Sequence, residues 1–273
     1  MKKSHIALAT TATLASILLA NVGTTAHAAD VDTANGTGKV QFYIPTTPTP
    51  PMDPTTPADP ADPTKPTDPL NPTDPSTGTP ENPGTGNTGP LRLDSVPNFN
   101  FGNHPVTDVT GAAAVTYTGD GIDEQNGGNL VQNANLPYFV QVTDFRGSAA
   151  GWTVSVSATP FKTATAGNND TLTGATVSYT NGHARPVSSG LNQPVGTNPH
   201  DQNPASMTIP TDGSSINLFA ATDTHGTLTN QDVFGNKAAD TTLTIPASVK
   251  AVQASEYTST FTYTLSDAPT TLS

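Results

Sequence analysis

A proline at every third position from Pro48 to Pro75 is the feature that most limits what this chain can fold into. Proline has no backbone N–H and a fixed φ, so this stretch cannot form an α-helix or a central β-strand. A repeat of three residues matches polyproline II, which predicts that residues 45–90 form an extended spacer of about 140 Å. The prolines in register are Pro48, Pro51, Pro54, Pro57, Pro60, Pro63, Pro66, Pro69, Pro72 and Pro75.

The spacer is also acidic, because five of its prolines follow an aspartate and Lys65 is its one basic residue. Repulsion between these like charges favours extension. An inert linker is the main interpretation of this composition. The alternative is that a partner protein recognises the Pro-x-x-Pro edges of the spacer.

The N-terminus has the pattern of a secretory signal peptide. Lys2 and Lys3 precede an apolar run over residues 6–20, and Ala26-His27-Ala28 is a small-x-small cleavage site. The apolar run is too short and too interrupted by Thr and Ser to span a bilayer comfortably. We therefore expect residues 1–28 to be removed, the protein to be secreted, and the mature chain to have no transmembrane span.

Charge and cysteine content restrict the partners and the source of stability. The chain has no cysteine, so outside the cell it must fold on a hydrophobic core without disulfides. Removing Lys2 and Lys3 leaves 8 of the 10 basic residues against 22 acidic ones, a net charge of −14. This charge excludes nucleic acid and disfavours other polyanions as partners. Binding to a neutral sugar polymer would depend on hydrogen bonds and ring contacts.

The region before the spacer alternates apolar and polar residues as a half-buried strand does. Val40, Phe42 and Ile44 carry the apolar face. The alternation predicts that residues 29–44 contain a short strand that docks on the C-terminal domain. The two ends of the proline-rich segment would then return to the same body.

Residues 91–273 consist of short runs rich in Val, Thr, Tyr and Phe, separated by Gly, Asn and Asp clusters. This pattern predicts an all-β domain, a β-sandwich or a partly closed barrel. Residues 182–204, rich in Pro, Gly and Asn, are predicted to be a surface loop. The predicted strands cover residues 113–117, 138–143, 152–159, 173–179, 215–220, 241–246 and 255–265.

Two segments of this domain share an aromatic residue, a threonine and an aliphatic residue in order. They are Trp152-Thr153-Val154, within residues 142–161, and Tyr263-Thr264-Leu265, within residues 256–273. Together with LRLDSVPNFNFG at residues 91–102, these segments resemble the WxL cell-surface proteins of Gram-positive bacteria. The resemblance covers residues 91–273, with Val154 in place of Leu in the first motif and Tyr263 in place of Trp in the second.

The resemblance implies a domain that holds the protein non-covalently on peptidoglycan. It makes the six motif residues candidates for wall binding, together with an acid–base pair nearby. A sugar carboxylate or a peptide-stem carboxyl is the ligand that an arginine in this pair would hold. The candidates are Trp152, Thr153, Val154, Tyr263, Thr264, Leu265, Asp144 and Arg146.

Strand periodicity gives these residues structural interpretations as well. Trp152 and Val154 fall on an apolar face with Val156, so Trp152 is predicted to pack in the core rather than stack on a sugar. Tyr263 also falls on an apolar face, and its position near a strand end suggests a partner for its hydroxyl. Asp144 and Arg146 share one face of a strand and are predicted to form an ion pair.

These observations predict a secreted, non-enzymatic surface protein on peptidoglycan, and the resemblance implies assembly with other surface proteins of the family. The alternatives are an adhesin for host matrix or mucus and a polysaccharide-acting enzyme with a hidden carboxylate pair. No cofactor is expected. The absence of cysteine and the unpaired spacing of the six histidines disfavour zinc, and the acidic loop at residues 119–124 leaves a weak calcium site as an alternative.

Overall fold

The computed structural model describes residues 37–49, 51–52, 84–126, 129–133, 135–187, 204–222 and 225–269. The chain divides into two units, Met1–Phe42 and Tyr43–Ser273, and all regular structure described below lies in the second. The described strands are β1 Leu91–Ser95, β2 Val115–Thr118, β3 Ile122–Asn126, β4 Asn129–Asn133, β5 Phe139–Asp144, β6 Trp152–Ala158, β7 Thr176–Thr180, β8 His183–Val187, β9 Ser206–Pro210, β10 Ser215–Ala221, β11 Leu228–Val233, β12 Thr241–Ile245 and β13 Phe261–Ser266. Two 3₁₀ turns, Val106–Asp108 and Ala238–Asp240, are the described helical elements.

Three antiparallel sheets and one hairpin account for these strands. The first sheet has the order β1-β5-β11-β8, the second β10-β6-β13, and the third β2-β12-β7-β9, while β3 pairs with β4. The prediction of an all-β, sandwich-like domain is confirmed, and each sheet is open rather than closed into a barrel.

The main hydrophobic core is built mostly from residues of the first two sheets, and Tyr179 of β7 and Ile209 of β9 join it from the third. Val140 and Val142 of β5 belong to the same buried cluster as Val154 and Val156 of β6, because alternate residues of each strand share a face. Phe219 of β10 lies in this cluster as well. These buried side chains position β6, and therefore the first sequence motif, in the centre of the domain.

A second buried cluster lies under the third sheet, with Val177 of β7 and Leu243 of β12 among its members. Phe99 and Phe261 pack against both clusters, and their ring centroids are 5.0 Å apart in an edge-to-face arrangement. Edge-to-face aromatic pairs stabilise beyond the area they bury. The start of β13 is thus held between the two cores.

Each of the seven predicted strands overlaps a strand of the structure. The predicted surface loop over residues 182–204 is corrected in part, because residues His183–Val187 form β8 at the edge of the first sheet. Pro186 hides this strand in the sequence, yet proline is tolerated on an edge strand where one N–H needs no partner. Residues 188–203 lie outside the described residues.

The strand predicted before the spacer is not observed in the described residues. Residues 37–46 have no strand, and Val40 and Phe42 are 78% and 88% exposed. An alternating pattern needs a neighbouring strand to form a ladder, and on its own it does not hold a strand. Residues 29–36 lie outside the described residues.

The chain instead meets the domain a few residues later. Pro51 and Met52 are buried, and Met52 is 5% exposed. On the far side of the proline-rich segment, Gly84 pairs with Ser95 of β1, and the Thr85 amide donates to the Asp94 carbonyl at 2.8 Å. Residues 53–83 lie outside the described residues, and the described residues at both of their ends contact the same domain.

Candidate functional site

The two motifs lie side by side on neighbouring antiparallel strands. In the β6–β13 register, Val154 is opposite Leu265 and Val156 is opposite Tyr263. Directly opposed residues on one face of a sheet have side chains in contact range. The structure thus brings together two segments that are far apart in the sequence.

Trp152 is fully buried, with 0% of its surface exposed. Its Nε1 donates to the Gly226 carbonyl at 2.9 Å, and its ring lies edge-to-face on Phe219 with centroids 4.8 Å apart. Gly226 has φ +76°, and a Cβ there would lie 2.5 Å from Trp152 Nε1. This indole is therefore a core residue with a satisfied N–H, as the alternation along its strand predicts, and it presents no surface to a ligand.

Tyr263 packs against the same core from the edge strand β13, half-buried as a residue. Its hydroxyl oxygen is buried and has no hydrogen-bond partner in the described structure, contrary to the partner expected from its place near a strand end. Burial raises the pKa of this phenol, and the nearby Asp232 carboxylate adds to the effect.

The two motif threonines differ in exposure. Thr153 is buried and donates its hydroxyl to the Ala268 carbonyl at 2.9 Å, whereas Thr264 is exposed. Thr264 is the motif residue with the most accessible side chain. Around it, the outer face of the second sheet carries uncharged polar side chains from all three strands, namely Ser155, Ser157, Ser215, Asn217, Thr262, Thr264 and Ser266.

An open groove of about 850 Å³ runs beside the second motif. One wall is the end of β13, where Thr264, Leu265 and Ser266 line it, and the other is β1 with the residues that precede it. Two of the three segments singled out in the sequence therefore meet at this groove. Its described lining residues are Asn87, Thr88, Gly89, Leu91, Arg92, Leu93, Thr264, Leu265, Ser266 and Asp267.

The predicted Asp144–Arg146 pair is present. Arg146 Nη2 lies 2.8 Å from the buried Asp144 carboxylate and also donates to the Gly151 carbonyl at 2.7 Å. The hydrogen bond to Asp144 raises the pKa of Arg146. These contacts tie the end of β5 to the residue before β6, so the pair braces the turn that leads into the first motif.

Sequence reasoning missed a second polar cluster, on the other face of β5. We call Arg92, Asp94, Gln141, Thr143 and Gln231 the cradle; all five are buried, and they lie on β1, β5 and β11. The Asp94 carboxylate accepts from Arg92 Nε at 2.9 Å, from Gln141 Nε2 at 3.3 Å and from the Thr143 hydroxyl. The alternation of charged and apolar residues in LRLDS could have indicated this buried polar cluster, but the same alternation is typical of a strand with one solvated face.

Electrostatics at the cradle are set by burial. Burial raises the pKa of Asp94, and hydrogen bonds from Thr143 and Gln141 together with the charge of Arg92 oppose that shift. Arg92 also lies over the Phe145 ring, with its guanidinium carbon 5.1 Å from the centroid. Ionised groups removed from water need such partners, and each here has several.

Within the described ranges, no three histidine, aspartate or glutamate side chains come together in a way that could hold a metal ion. In the same part of the chain, no helix has the length and apolar character needed to cross a membrane.

Comparison with known proteins identifies the family. A family model described as "WxL domain surface cell wall-binding" matches residues 29–269, nearly the whole chain. No curated protein and no solved structure matches the chain. The match extends N-terminally beyond residues 91–273, so it includes the proline-rich segment. The chain belongs to the WxL family of cell wall-binding surface proteins, located at the cell wall and cell surface.

Proposed function

We propose that this protein attaches non-covalently to peptidoglycan through the groove between β13 and β1, as a non-enzymatic component of a cell-surface protein complex. One observation carries the site: Thr264 and Leu265 of the second motif line the groove together with Leu91 and Leu93. Sugar rings and short peptides present both apolar faces and polar edges. A groove that combines leucines with hydroxyl and amide groups suits both.

The charge of the chain supports a neutral sugar polymer over a polyanion as the ligand. The chain carries 22 acidic residues against 10 basic ones, so teichoic acids are repelled. Ser266 and Thr88 offer the groove neutral hydroxyl groups. Hydrogen bonds from such groups are individually weak, and attachment by many copies along a wall polymer would compensate.

The remaining motif residues support this site from within. Trp152 and Val154 are buried, and Val154 lies opposite Leu265 across the β6–β13 ladder. The Arg146–Asp144 pair fixes the turn before β6. We propose that these residues act on wall attachment by holding β13 in place, and that Thr264 and Leu265 make contact with the wall.

The proposed architecture around the domain follows the sequence. Residues 1–28 are a signal peptide, residues 45–90 contain the acidic proline-rich segment, and residues 91–273 are the wall-binding domain. The segment leaves and re-enters the domain at neighbouring points, Pro51 and Gly84. We propose that other surface proteins of the family are its partners.

The test is a pull-down of residues 29–273 with purified peptidoglycan stripped of teichoic acid. Thr264→Glu combined with Ser266→Glu places two carboxylates on the exposed residues of β13, which would block the groove and repel stem carboxylates. We expect wall binding to fall at least about tenfold. The matched control, Thr116→Glu with Thr118→Glu, makes the same changes at exposed positions of another edge strand, β2, and should bind as the wild type does.

Trp152→Ala separates direct from indirect action of the motif. If the buried indole only supports the fold, wall binding is lost together with the cooperative urea-unfolding transition of the native domain. Loss of binding in a fully folded Trp152→Ala protein would contradict the supporting role. Equal binding by the β13 and β2 variants would contradict the groove as the site.

A further inference from the structure

Arg92 connects the segment before β1 that docks on the domain to one side of the groove. Its Nη2 donates to the Thr49 hydroxyl at 2.6 Å and to the Thr47 carbonyl at 3.3 Å. Its Nη1 donates to the carbonyl of Gly89, a residue that lines the groove, at 2.9 Å. A single guanidinium therefore bridges residues 47–49 and the groove.

The guanidinium is held in one orientation by the cradle and by an aromatic ring. Its Nε lies 2.9 Å from the Asp94 carboxylate, and its carbon lies 5.1 Å from the centroid of the Phe145 ring. The Arg92 side chain is only 1% exposed, although the residue lines the groove. Because its donors form a rigid planar fork, a change at one contact tilts the group at the others. Arg92 would thus act on the groove through the residues that it holds.

The part of the groove that depends on Arg92 is its rim, by which we mean residues 87–89. Asn87 and the following Pro90 are held by hydrogen bonds to Leu93 and Phe145. Within the described ranges, the bond from Arg92 is the one hydrogen bond made by residues 88 and 89. Without it, no described hydrogen bond would hold this stretch of the rim.

The docked segment supplies two of the partners of Arg92. Its position is fixed separately at Met52, whose amide and carbonyl are bound by Gln141 and Gln231 at 3.0 Å and 2.7 Å. A buried guanidinium needs partners for its N–H groups, so the loss of Thr49 would leave Nη2 underbonded and allow it to turn. The described residues of this segment are not among those that line the groove, so their effect on it is indirect.

We propose that Arg92 is a positioning residue for wall binding, which couples residues 47–49 to the rim of the groove so that the docked segment raises the affinity for peptidoglycan. This inference rests on the proposed function, because it takes the groove as the wall-binding site. A site binds more tightly when its parts are held in place before the ligand arrives. Arg92 and Thr49 thus determine wall affinity without presenting their side chains to the ligand.

Thr49→Val tests this coupling with a side chain of nearly the same shape. It removes the hydroxyl that accepts from Arg92 Nη2 and leaves the contacts of Met52 in place. We expect the affinity of residues 29–273 for purified peptidoglycan to fall at least about threefold, measured where the protein is fully folded. The matched control is Thr211→Val, because Thr211 is 3% exposed, follows β9 and donates its hydroxyl to the Ala175 carbonyl at 2.7 Å. This control should weaken the fold to a similar degree and leave wall affinity unchanged.

Arg92→Lys is the stronger change. Lysine keeps a positive charge beside Asp94, but one ammonium group cannot reproduce the fork that reaches Gly89 and Thr49 together. We expect wall affinity to fall at least about tenfold. Hydrogen exchange at residues 87–91 should become faster in Arg92→Lys and in Thr49→Val, but not in Thr211→Val. If Arg92→Lys does not fold, Thr49→Val decides.

The outcomes separate this inference from the proposed function. If Thr49→Val and Arg92→Lys bind peptidoglycan as the wild type does, while Thr264→Glu with Ser266→Glu loses binding, the role of Arg92 is wrong and the groove stands. Reduced affinity without faster exchange at residues 87–91 would also overturn it, because the effect would not pass through the rim. A wild-type protein that does not bind peptidoglycan would overturn both the groove and the role of Arg92.

Discussion

At the scale of single residues, the hydroxyl of Tyr263 in the second motif lowers the free energy of unfolding. The oxygen is buried and has no hydrogen-bond partner in the described structure. A buried polar group left unsatisfied costs about 1–3 kcal/mol. We therefore expect Tyr263→Phe to raise the free energy of unfolding by about 1 kcal/mol, measured by urea denaturation.

The matched control is another tyrosine near the same strand. The Tyr257 hydroxyl accepts from the Gln253 amide at 2.8 Å and donates to the Asn169 carbonyl. Tyr257→Phe removes both bonds and should lower the free energy of unfolding by about 1 kcal/mol. Destabilisation of similar size by Tyr263→Phe would show that its hydroxyl has a partner after all.

Asp94 makes a second prediction at this scale, on pH. Burial raises the pKa of this carboxyl above its ordinary value of 3.8, so the folded state holds the proton more tightly than the unfolded state. The stability that this tighter proton binding gives the folded state is fully present below pH 3.8. It is lost as the pH rises through the pKa of Asp94 in the folded protein. The difference in melting temperature between wild type and Asp94→Asn should therefore be largest near pH 3.8 and narrow toward neutral pH.

Asp212 provides a control of opposite sign. Hydrogen bonds from the Ser214 hydroxyl and amide lower the pKa of this exposed carboxyl. Its contribution is present above its ordinary pKa and is lost as the pH falls, so the difference between wild type and Asp212→Asn should widen toward neutral pH. A difference for Asp94→Asn that also widens would contradict the assignment of burial as the dominant cause.

At the scale of elements, the pairing of β6 with β13 couples the packing of the two motifs. Val154 is fully buried and lies opposite Leu265 across the β6–β13 ladder. The two side chains therefore share one space, and a larger side chain at one position leaves less room at the other. Val154→Leu adds a methylene to a packed core and should cost about 1–3 kcal/mol. Combining it with Leu265→Val should recover at least about 0.5 kcal/mol relative to additivity.

The measurement is a double-mutant cycle by chemical denaturation, with Val154→Leu, Leu265→Val and the pair. A coupling energy near zero would show that the two side chains do not share space. Val154→Leu combined with Thr118→Val is the control expected to be additive, because Thr118 is exposed and lies on β2 in a different sheet.

The strands that the sequence pattern predicts are those in which apolar residues alternate with polar ones. β6 and β13 are examples, because each has one apolar and one Ser/Thr face. β11 was not predicted, since its central residues Asn230, Gln231 and Asp232 are polar yet buried on both faces of the sheet. Their burial depends on partners such as Met52, which are distant in sequence and invisible to local periodicity.

The same difference between local patterns and contacts distant in sequence applies to the candidate site. Alternation places Trp152 on the apolar side, and spacing predicts the Asp144–Arg146 pair, because both are local properties of one strand. The groove between β13 and β1 and the cradle were not predictable, since each forms from segments that meet only in the fold. Long-range pairings of this kind leave no periodic signal in the sequence.

At the scale of the whole molecule, the proline-rich segment joins two points of the same domain. The alternating residues at 38–44 predicted a docking strand, but in the described structure the contact is made by residues 47–52. In the described structure, side chains of the domain bind backbone groups of this segment. Arg92 and Gln231 do this from β1 and β11.

Met52 tests whether this docking stabilises the domain. Its side chain is 5% exposed and its backbone is held by Gln141 and Gln231, whereas Tyr43, nine residues earlier, is 84% exposed. Met52→Ala should lower the free energy of unfolding by about 2 kcal/mol through the loss of buried area. Tyr43→Ala, a larger truncation at an exposed site, should change it by less than about 0.5 kcal/mol. Equal unfolding energies for wild type and Met52→Ala would mean that the docking of this segment does not stabilise the domain.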